Sequence, residues 1–436
     1  MKTKLSLLIL LLLACEETRE GPTEPPALPE GPVPLVEVSL GFGNVPVEGE
    51  VFLSPPVGSE NWRYEIDLDE DGRIDQQGIL GLGIGFRYRF TTPGIHRIRT
   101  NLTGPEDRTV EVASLVVAND EGPIQILAVG QVTPVHPEWV SFEGIAMSHS
   151  GDALFVANYS GGSLHRLNPA NLSVTGVIEE MSYSIEGISV SPKDSFLFAA
   201  YKYHHAASVE LASFEIDRFF ARGVGGKFFI QAVDERHALI GGEGPLGLVD
   251  MRTGETVDQF RAPGAEFTNT LHFALSPDAA TAAVIVYDGA YSLHIIDVAT
   301  LESLRTIPLG RMAYPRTLAF HPQGDRLYVI GHEDWGASFA VFDLRSGETL
   351  REVPLGRIFC SGYCVASPAA TLLSGRYVAF EWGGGAYFID TELDLPLYSI
   401  PPLGCYCGFS VTASPVEDAF YFLRSDGLVQ KIAIED

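Results

Sequence analysis

Four groups of side chains in this 436-residue sequence have types and spacings that could do chemistry. Asp67, Asp69 and Asp71 alternate along the chain, with Gly72 next and Asp75 beyond. Carboxylates this close repel one another unless a cation or solvent compensates. The run therefore reads either as an oxygen cage for calcium or as a tight turn whose Asp side chains bond their own backbone. Cys360, Cys364, Cys405 and Cys407 could form a tetrahedral zinc site or two disulfides; their CxxxC and CxC spacings differ from the CxxC knuckle, and disulfides are the favoured reading. Glu143, Glu186 and Arg316 recur at matching positions of an internal repeat, where a carboxylate pair facing an arginine reads as a reactive site or as a salt bridge. The fourth group is polar and aromatic: Tyr203, His204, His205, Asp288, His332, Glu333, Asp334, Trp335 and Trp382. Histidine with carboxylate can hold metal or move protons, and large aromatics can anchor a partner. The sequence carries no GxSxG, HExxH, phosphate-loop, dinucleotide or CxxCH haem motif.

The elements that must position these groups follow from a period in residues 121–436. A short turn recurs at Ser148-His149, Ser191-Pro192, Ala232-Val233, Ser276-Pro277, His321-Pro322, Ser367-Pro368 and Ser414-Pro415, at spacings of 43, 41, 44, 45, 46 and 47 residues. After each turn comes an apolar strand, such as Leu154-Phe155-Val156-Ala157 or Leu327-Tyr328-Val329-Ile330, then a loop, a strand ending in Asp, and a fourth strand. One four-stranded unit cannot cover both its apolar faces, whereas seven in a ring bury them all. The pattern predicts an all-β, seven-bladed β-propeller. The texture around these turns resembles the YVTN-type propeller repeat, which implies the fold and says little about function. Pro123 to Val129 alternates like a strand and is expected to supply the fourth strand of the last blade, closing the ring. The loops between second and third strands then share one face with the connections between blades, and the fourth group of residues lies in those loops. Counted back from the Ser-Pro turns, Cys360 and Cys407 are equivalent. Glu143, Glu186 and Arg316 together resemble the site of propeller lactonases.

Residues 35–120 read as a small β-sandwich, with alternating strands such as Phe86–Phe90 and His96–Thr100. The Tyr64-Glu65-Ile66-Asp67 strand, the Asp69-Glu70-Asp71-Gly72 turn and Thr92-Pro93-Gly94 resemble the polycystic-kidney-disease-type (PKD), immunoglobulin-like domain, with Tyr64 where that family usually has Trp. The resemblance implies a spacer or adhesion module. The Asp67–Asp75 spacing is similar to the first half of an EF-hand loop, although its closing Glu is replaced by Gly78 and no helices are expected on either side.

At the N-terminus, Lys2 and Lys4 precede an apolar run from Leu5 to Leu13, too short to span a bilayer, which ends in Leu12-Leu13-Ala14-Cys15. This segment, residues 1–15, resembles a bacterial lipoprotein signal peptide with its lipobox and implies lipidation at Cys15. Residues 16–34, rich in Pro, Glu and Gly, read as an extended tether. Glu16 after the cysteine resembles outer-membrane sorting, on the periplasmic or surface side. A formal charge of −27, from 29 basic and 56 acidic residues, argues against nucleic acid and against adsorption to anionic lipid. The expected protein is a cell-envelope lipoprotein, membrane-bound through its lipid, that binds a protein, peptide or glycan with one propeller face. No cofactor is expected beyond calcium in the PKD-like part. A lactonase-like hydrolase at the hub is the alternative, and a purely structural envelope role the third.

Overall fold

The computed structural model describes residues 35–434 apart from short stretches, among them 120–123, 134–141, 202–204, 222–225, 334–335, 358–368, 383–384 and 401–408. Among the described residues every regular element is a strand.

Residues 35–119 form two sheets. One has three strands in the order Leu35–Val38, Val47–Ser54, Ile84–Phe90. The other has five, Phe42–Asn44, Thr109–Asn119, Gly94–Thr103, Trp62–Asp67 and Gln76–Leu80. Trp62, Tyr64 and Ile66 alternate inward from one strand to meet Val51, Leu53, Tyr88 and Phe90, as a sandwich requires. Gly104 and Gly78 leave room for the two large rings: a Cβ on Gly104 would stand 2.8 Å from the Trp62 ring, and one on Gly78 would stand 2.7 Å from the Tyr64 hydroxyl.

Seven further sheets follow, and they form a ring. Blade one pairs Phe142–Met147, Leu154–Asn158, Ser163–Leu167 and Val174–Ile178 in sequence order, and blades two, four, five and six repeat that order. The first strands of neighbouring blades lie side by side at the hub, and the first strand of blade seven (Phe409–Ala413) touches that of blade one. Seven apolar clusters, one per joint between neighbouring blades, make up the core. This explains the unbroken apolar second strands. In Leu154-Phe155-Val156-Ala157, Phe155 and Ala157 face blade two while Leu154 and Val156 face blade seven, so neither side of the strand meets water.

The ring closes as the alternation of residues 123–129 predicts. Ile124–Gln131 pairs antiparallel with Leu428–Ile434 and completes blade seven. Blade three differs from its neighbours. A single element, His237–Asp250, pairs through its first half with Gly226–Ala232 and through its second with Glu255–Phe260. The Met251 N–H donates to the Arg236 carbonyl at 2.7 Å, so this element folds back on itself around Gly244.

The turn after each first strand falls at Ser148, Ser191, Val233, Ser276, His321, Leu372 and Ser414. Blade six thus departs from the sequence expectation: its turn is Leu372–Tyr377, five residues beyond Ser367. The Ser-Pro pair misled because Leu372 lacks the hydroxyl that, at Ser148, Ser191 and Ser276, accepts a backbone N–H across the turn. From the corrected turns, Cys364 stands eight residues before Leu372 and Cys407 seven before Ser414, so the equivalence of Cys360 and Cys407 is lost.

Strands Leu35–Val38, Phe42–Asn44 and Thr109–Asn119 of the sandwich lie against the outermost strands of blades five and six, Thr349–Arg357 and Leu395–Ile400.

Candidate functional site

Antiparallel order places the one–two and three–four turns of every blade on one face of the ring. The two–three loops and the connections between blades lie on the other. On this loop face, described aromatic side chains gather at blades four and five. Tyr287 ends the second strand of blade four, Tyr291 begins the third, and Tyr314 begins the first strand of blade five. The Tyr287 and Tyr291 rings lie 4.9 Å apart, and Tyr291 meets Tyr314 edge-on at 5.4 Å and 72°. Edge-on and tilted packing of this kind is the favoured geometry for aromatic pairs.

Asp288 sits in the turn between the first two tyrosines. Its N–H donates to the Ala290 carbonyl at 3.2 Å, and its carboxylate accepts the Ala290 N–H at 3.4 Å. Gly289, at φ 108°, allows that turn where a side chain would be strained. Beneath it, burial lowers the pKa of His294, and the Asp288 charge opposes that shift. The cluster joins two half-buried tyrosines and a third, 38% exposed, to one carboxylate.

Four other loop residues named from sequence map to the same face. His205 opens the third strand of blade two, in register with Tyr201. His332 and Glu333 end the second strand of blade five, with His332 paired to Tyr314 across the ladder, and Trp382 ends the equivalent strand of blade six. Of these four residues only the backbone is described. Tyr203, His204, Asp334 and Trp335 lie outside the described residues, as do Cys15, Cys360, Cys364, Cys405 and Cys407. Sequence reading singled out Asp288 but passed over Tyr287 and Tyr314. Their signal was positional: each is an aromatic at the loop-face end of a strand, 27 residues apart in sequence.

Glu143, Glu186 and Arg316 occupy equivalent places, as their recurrence in the repeat predicts. Each is the extra residue of a β-bulge in its blade's first strand, between Phe142 and Gly144, Ile185 and Gly187, and Pro315 and Thr317. Bulges re-aim side chains and concentrate beside functional sites. Arg316 is half-buried and takes no hydrogen-bond acceptor among the described residues, so the hub salt bridge expected from sequence is not made between Arg316 and Glu186. A cavity of about 290 Å³ occupies the hub towards the turn face, lined by Gln231, His272, Ala274, Ala319, Phe320 and Thr371 among others, with no carboxylate among its described lining residues.

In the sandwich, Asp67, Asp69 and Asp71 each bring one carboxylate oxygen within 4.8 Å of the others. Asp75 stands apart from them, accepting the Leu68 N–H at 2.7 Å. The turn bonds of the run are made, and the carboxylates stand close together. Asp69 and Asp71 each accept the N–H two residues on, at 3.3 and 2.7 Å, as in an Asx turn. Asp67 spends one oxygen on the Gly72 N–H at 3.0 Å, and its other, buried oxygen has no hydrogen-bond partner. The donor set is all oxygen and suits a hard cation.

No family model matches the chain, and no curated protein does. Among solved structures it is similar to the Kuenenia stuttgartiensis hydrazine synthase, at 18% identity over 70% of this chain and 99% of that one, with a TM-score of 0.57. At that identity the likeness is one of fold. It is shared with many among 1452 matching chains, as expected of an architecture that hosts unrelated functions.

Proposed function

We propose that the protein is a cell-envelope lipoprotein whose propeller captures a protein, peptide or glycan partner on its loop face. The observation that carries this reading is the Tyr287–Tyr291–Tyr314 cluster beside Asp288. Interlocked tyrosines bury much area at small entropic cost, and a neighbouring carboxylate orients a polar partner group. Tyr203, Trp335 and Trp382 extend the anchor set around the face, with His204, His205, His332, Glu333 and Asp334 as polar companions. Lipidation at Cys15 and a residue 16–34 tether would hold this face away from the outer membrane. Cys15→Ser should then release the protein from the membrane fraction or trap its precursor. The YVTN-type repeat and PKD-like sandwich are part of the same proposal. So are disulfides among Cys360, Cys364, Cys405 and Cys407, for which four free thiols with stoichiometric zinc would be the contrary result.

The decisive experiment compares two sets of variants in capture from envelope extract. Tyr291→Ala with Tyr314→Ala, and Trp335→Ala with Trp382→Ala, should abolish capture with little change in melting temperature. Glu143→Gln and Arg316→Ala should not.

One observation favours the lactonase-like alternative, with Glu143, Glu186 and Arg316 as its residues: all three stand on equivalent bulges, and Arg316 takes no acceptor among the described residues. Lactone hydrolysis lost in the bulge variants, with the aromatic variants behaving as wild type, would establish that enzyme in place of the binding protein.

A further inference from the structure

An arginine strap recurs at three of the seven joints between blades, and the joint between blades one and two is among those without it. In blades two, four and five, an arginine on the fourth strand reaches across to backbone carbonyls of the next blade's three–four turn. Arg218 donates to the Arg252 carbonyl at 2.8 Å, Arg305 to those of Leu344 and Arg345 at 3.1 and 2.7 Å, and Arg351 to that of Leu393 at 3.0 Å. Each strap residue is paired with a fixed position of the third strand: Ser208, Ile295 and Val341. In blade one the same ladder position pairs Arg166 with Gly176. The strap is therefore a glycine at the joint between blades one and two, and the arginine has moved to the third strand.

What replaces the strap is a cavity of about 430 Å³, opening on the turn face. Phe214, in the turn that an arginine would otherwise grip, packs where a Gly176 side chain would stand, 3.0 Å from its Cβ position, and the Arg166 guanidinium lies over the Phe214 ring at 4.7 Å. Arg166 is half-buried; its carbonyl accepts the Thr175 hydroxyl at 3.1 Å, but its guanidinium makes no hydrogen bond or ion pair with any described residue, whereas each strap guanidinium is bonded. Its donors line the cavity together with Asp152, Thr175 and Asn168. Asp152 is not ion-paired to Arg166. One of its oxygens accepts the Ser148 and Ser150 hydroxyls at 2.9 and 2.8 Å, which leaves the other for a ligand.

We propose that this gap between blades one and two is a binding pocket for a neutral saccharide, gripped through neighbouring hydroxyls by Arg166 and Asp152. The chemistry follows from what is unspent. A guanidinium offers only donors and a carboxylate only acceptors. A sugar hydroxyl can take a hydrogen bond from the first and give one to the second, which neither an anion nor a cation can do. A carboxylate ligand would meet Arg166 but also the charges of Asp152 and Asp194 in the same wall. The volume lies in the range of small-molecule pockets and suits one or two sugar rings. This site is on the face opposite the tyrosine cluster and stands independently of it.

The test is calorimetric or ligand-observed NMR titration of the full chain with glucose, galactose, mannose and N-acetylglucosamine, with sodium acetate as the anionic probe. At least one sugar should bind and acetate should not. Arg166→Lys and Asp152→Asn should each weaken sugar binding by about tenfold or more, about 1.4 kcal/mol. Ala212→Trp, which introduces an indole from an exposed turn position into the cavity, should abolish binding without lowering the melting temperature. Tyr291→Ala should leave it unchanged. Binding of acetate alone, binding of neither probe, or sugar binding indifferent to Ala212→Trp would each overturn the proposal.

Discussion

The side-chain amide of Gln131 donates to the main-chain carbonyl of Asp426 at 2.8 Å, across 295 residues of sequence. Two backbone bonds flank it, from the Val132 N–H to the Gly427 carbonyl at 2.9 Å and from the Phe142 N–H to the Ser425 carbonyl at 3.1 Å. Together with the Ile124–Gln131 ladder they join the two ends of the ring. Without Ile124–Gln131 the Leu428–Ile434 strand would be left as a long unpaired edge. Deleting residues 122–132 should therefore lower the melting temperature by about 10 °C or more, or cause aggregation, as scanning calorimetry would record. A milder probe is Gly427→Ala. Gly427 has φ 84°, and a Cβ there would stand 2.4 Å from the Val132 carbonyl oxygen. Melting of either variant at the wild-type temperature would mean that the ring closes elsewhere.

Most of this architecture was legible in the sequence, because a propeller writes its period into the chain. The Ser148, Ser191, Ser276 and Ser414 turns read correctly since their hydroxyls bond the turn backbone, and that need fixes residue type. Leu372 was missed for the same reason, since it has no hydroxyl to bond the turn that its own N–H and carbonyl close. The candidate site was less legible. Asp288-Gly289 is a turn signal in one stretch, but the Tyr291–Tyr314 contact exists only because consecutive blades stand side by side. Arg166 gave no signal at all. Its meaning depends on Gly176 occupying a strap position, which only the ladder register reveals.

Blades five and six are joined by a network centred on Asp394. Its carboxylate takes the Arg326 guanidinium and the Tyr328 hydroxyl, the latter at 2.8 Å, while His321 lies 2.9 Å from the same guanidinium. Removing the acid leaves a buried phenol unpaired and a largely buried cation with, among the described residues, only its longer carboxylate contact, to Asp325 at 3.5 Å; deleting one partner of a buried pair costs about 3–5 kcal/mol. Asp394→Ala should reduce unfolding free energy on that scale, discounted to about 2–3 kcal/mol because Arg326 keeps some access to water. The double variant Asp394→Ala with Arg326→Met should recover part of it. Urea unfolding of the three proteins decides the matter, and no recovery would show that packing, not charge, holds the joint.

Stability should fall in mild acid before the carboxylates titrate. Burial in blade one pushes His165 down to about 4, and burial also lowers His294 and His321. Because the folded values lie below the unfolded 6.5, the unfolded chain binds protons first. This stabilising contribution is complete above about pH 6.5 and is lost as the pH falls towards 4. For His165 the full loss amounts to about 3–4 kcal/mol, about 2 of it by pH 5, since 6.5 to about 4 is about 2.5 units at about 1.4 kcal/mol each. Melting temperatures at pH 7 and pH 5 should differ, and His165→Gln should narrow the difference. A melting temperature flat from pH 7 to pH 5 would contradict the buried neutral state of these rings.

The Asp67 turn separates its two readings by one measurement. If the carboxylates serve only the turn, added calcium has nothing to grip, and the bonds to Gly72, Asp71 and Arg73 already satisfy the backbone. If they form a cation site, the buried second oxygen of Asp67 supplies a ligand that the turn does not use. We expect the second. Millimolar calcium should raise the unfolding temperature of the sandwich by a few degrees, because a ligand bound only to the folded state stabilises it by mass action. Chelator should reverse the gain. Asp67→Asn keeps an acceptor for the Gly72 N–H but removes the charge, so this variant should melt like wild type in chelator and fail to respond to calcium. An unchanged melting temperature in wild type across the calcium series would leave the acidic run as a turn and nothing more.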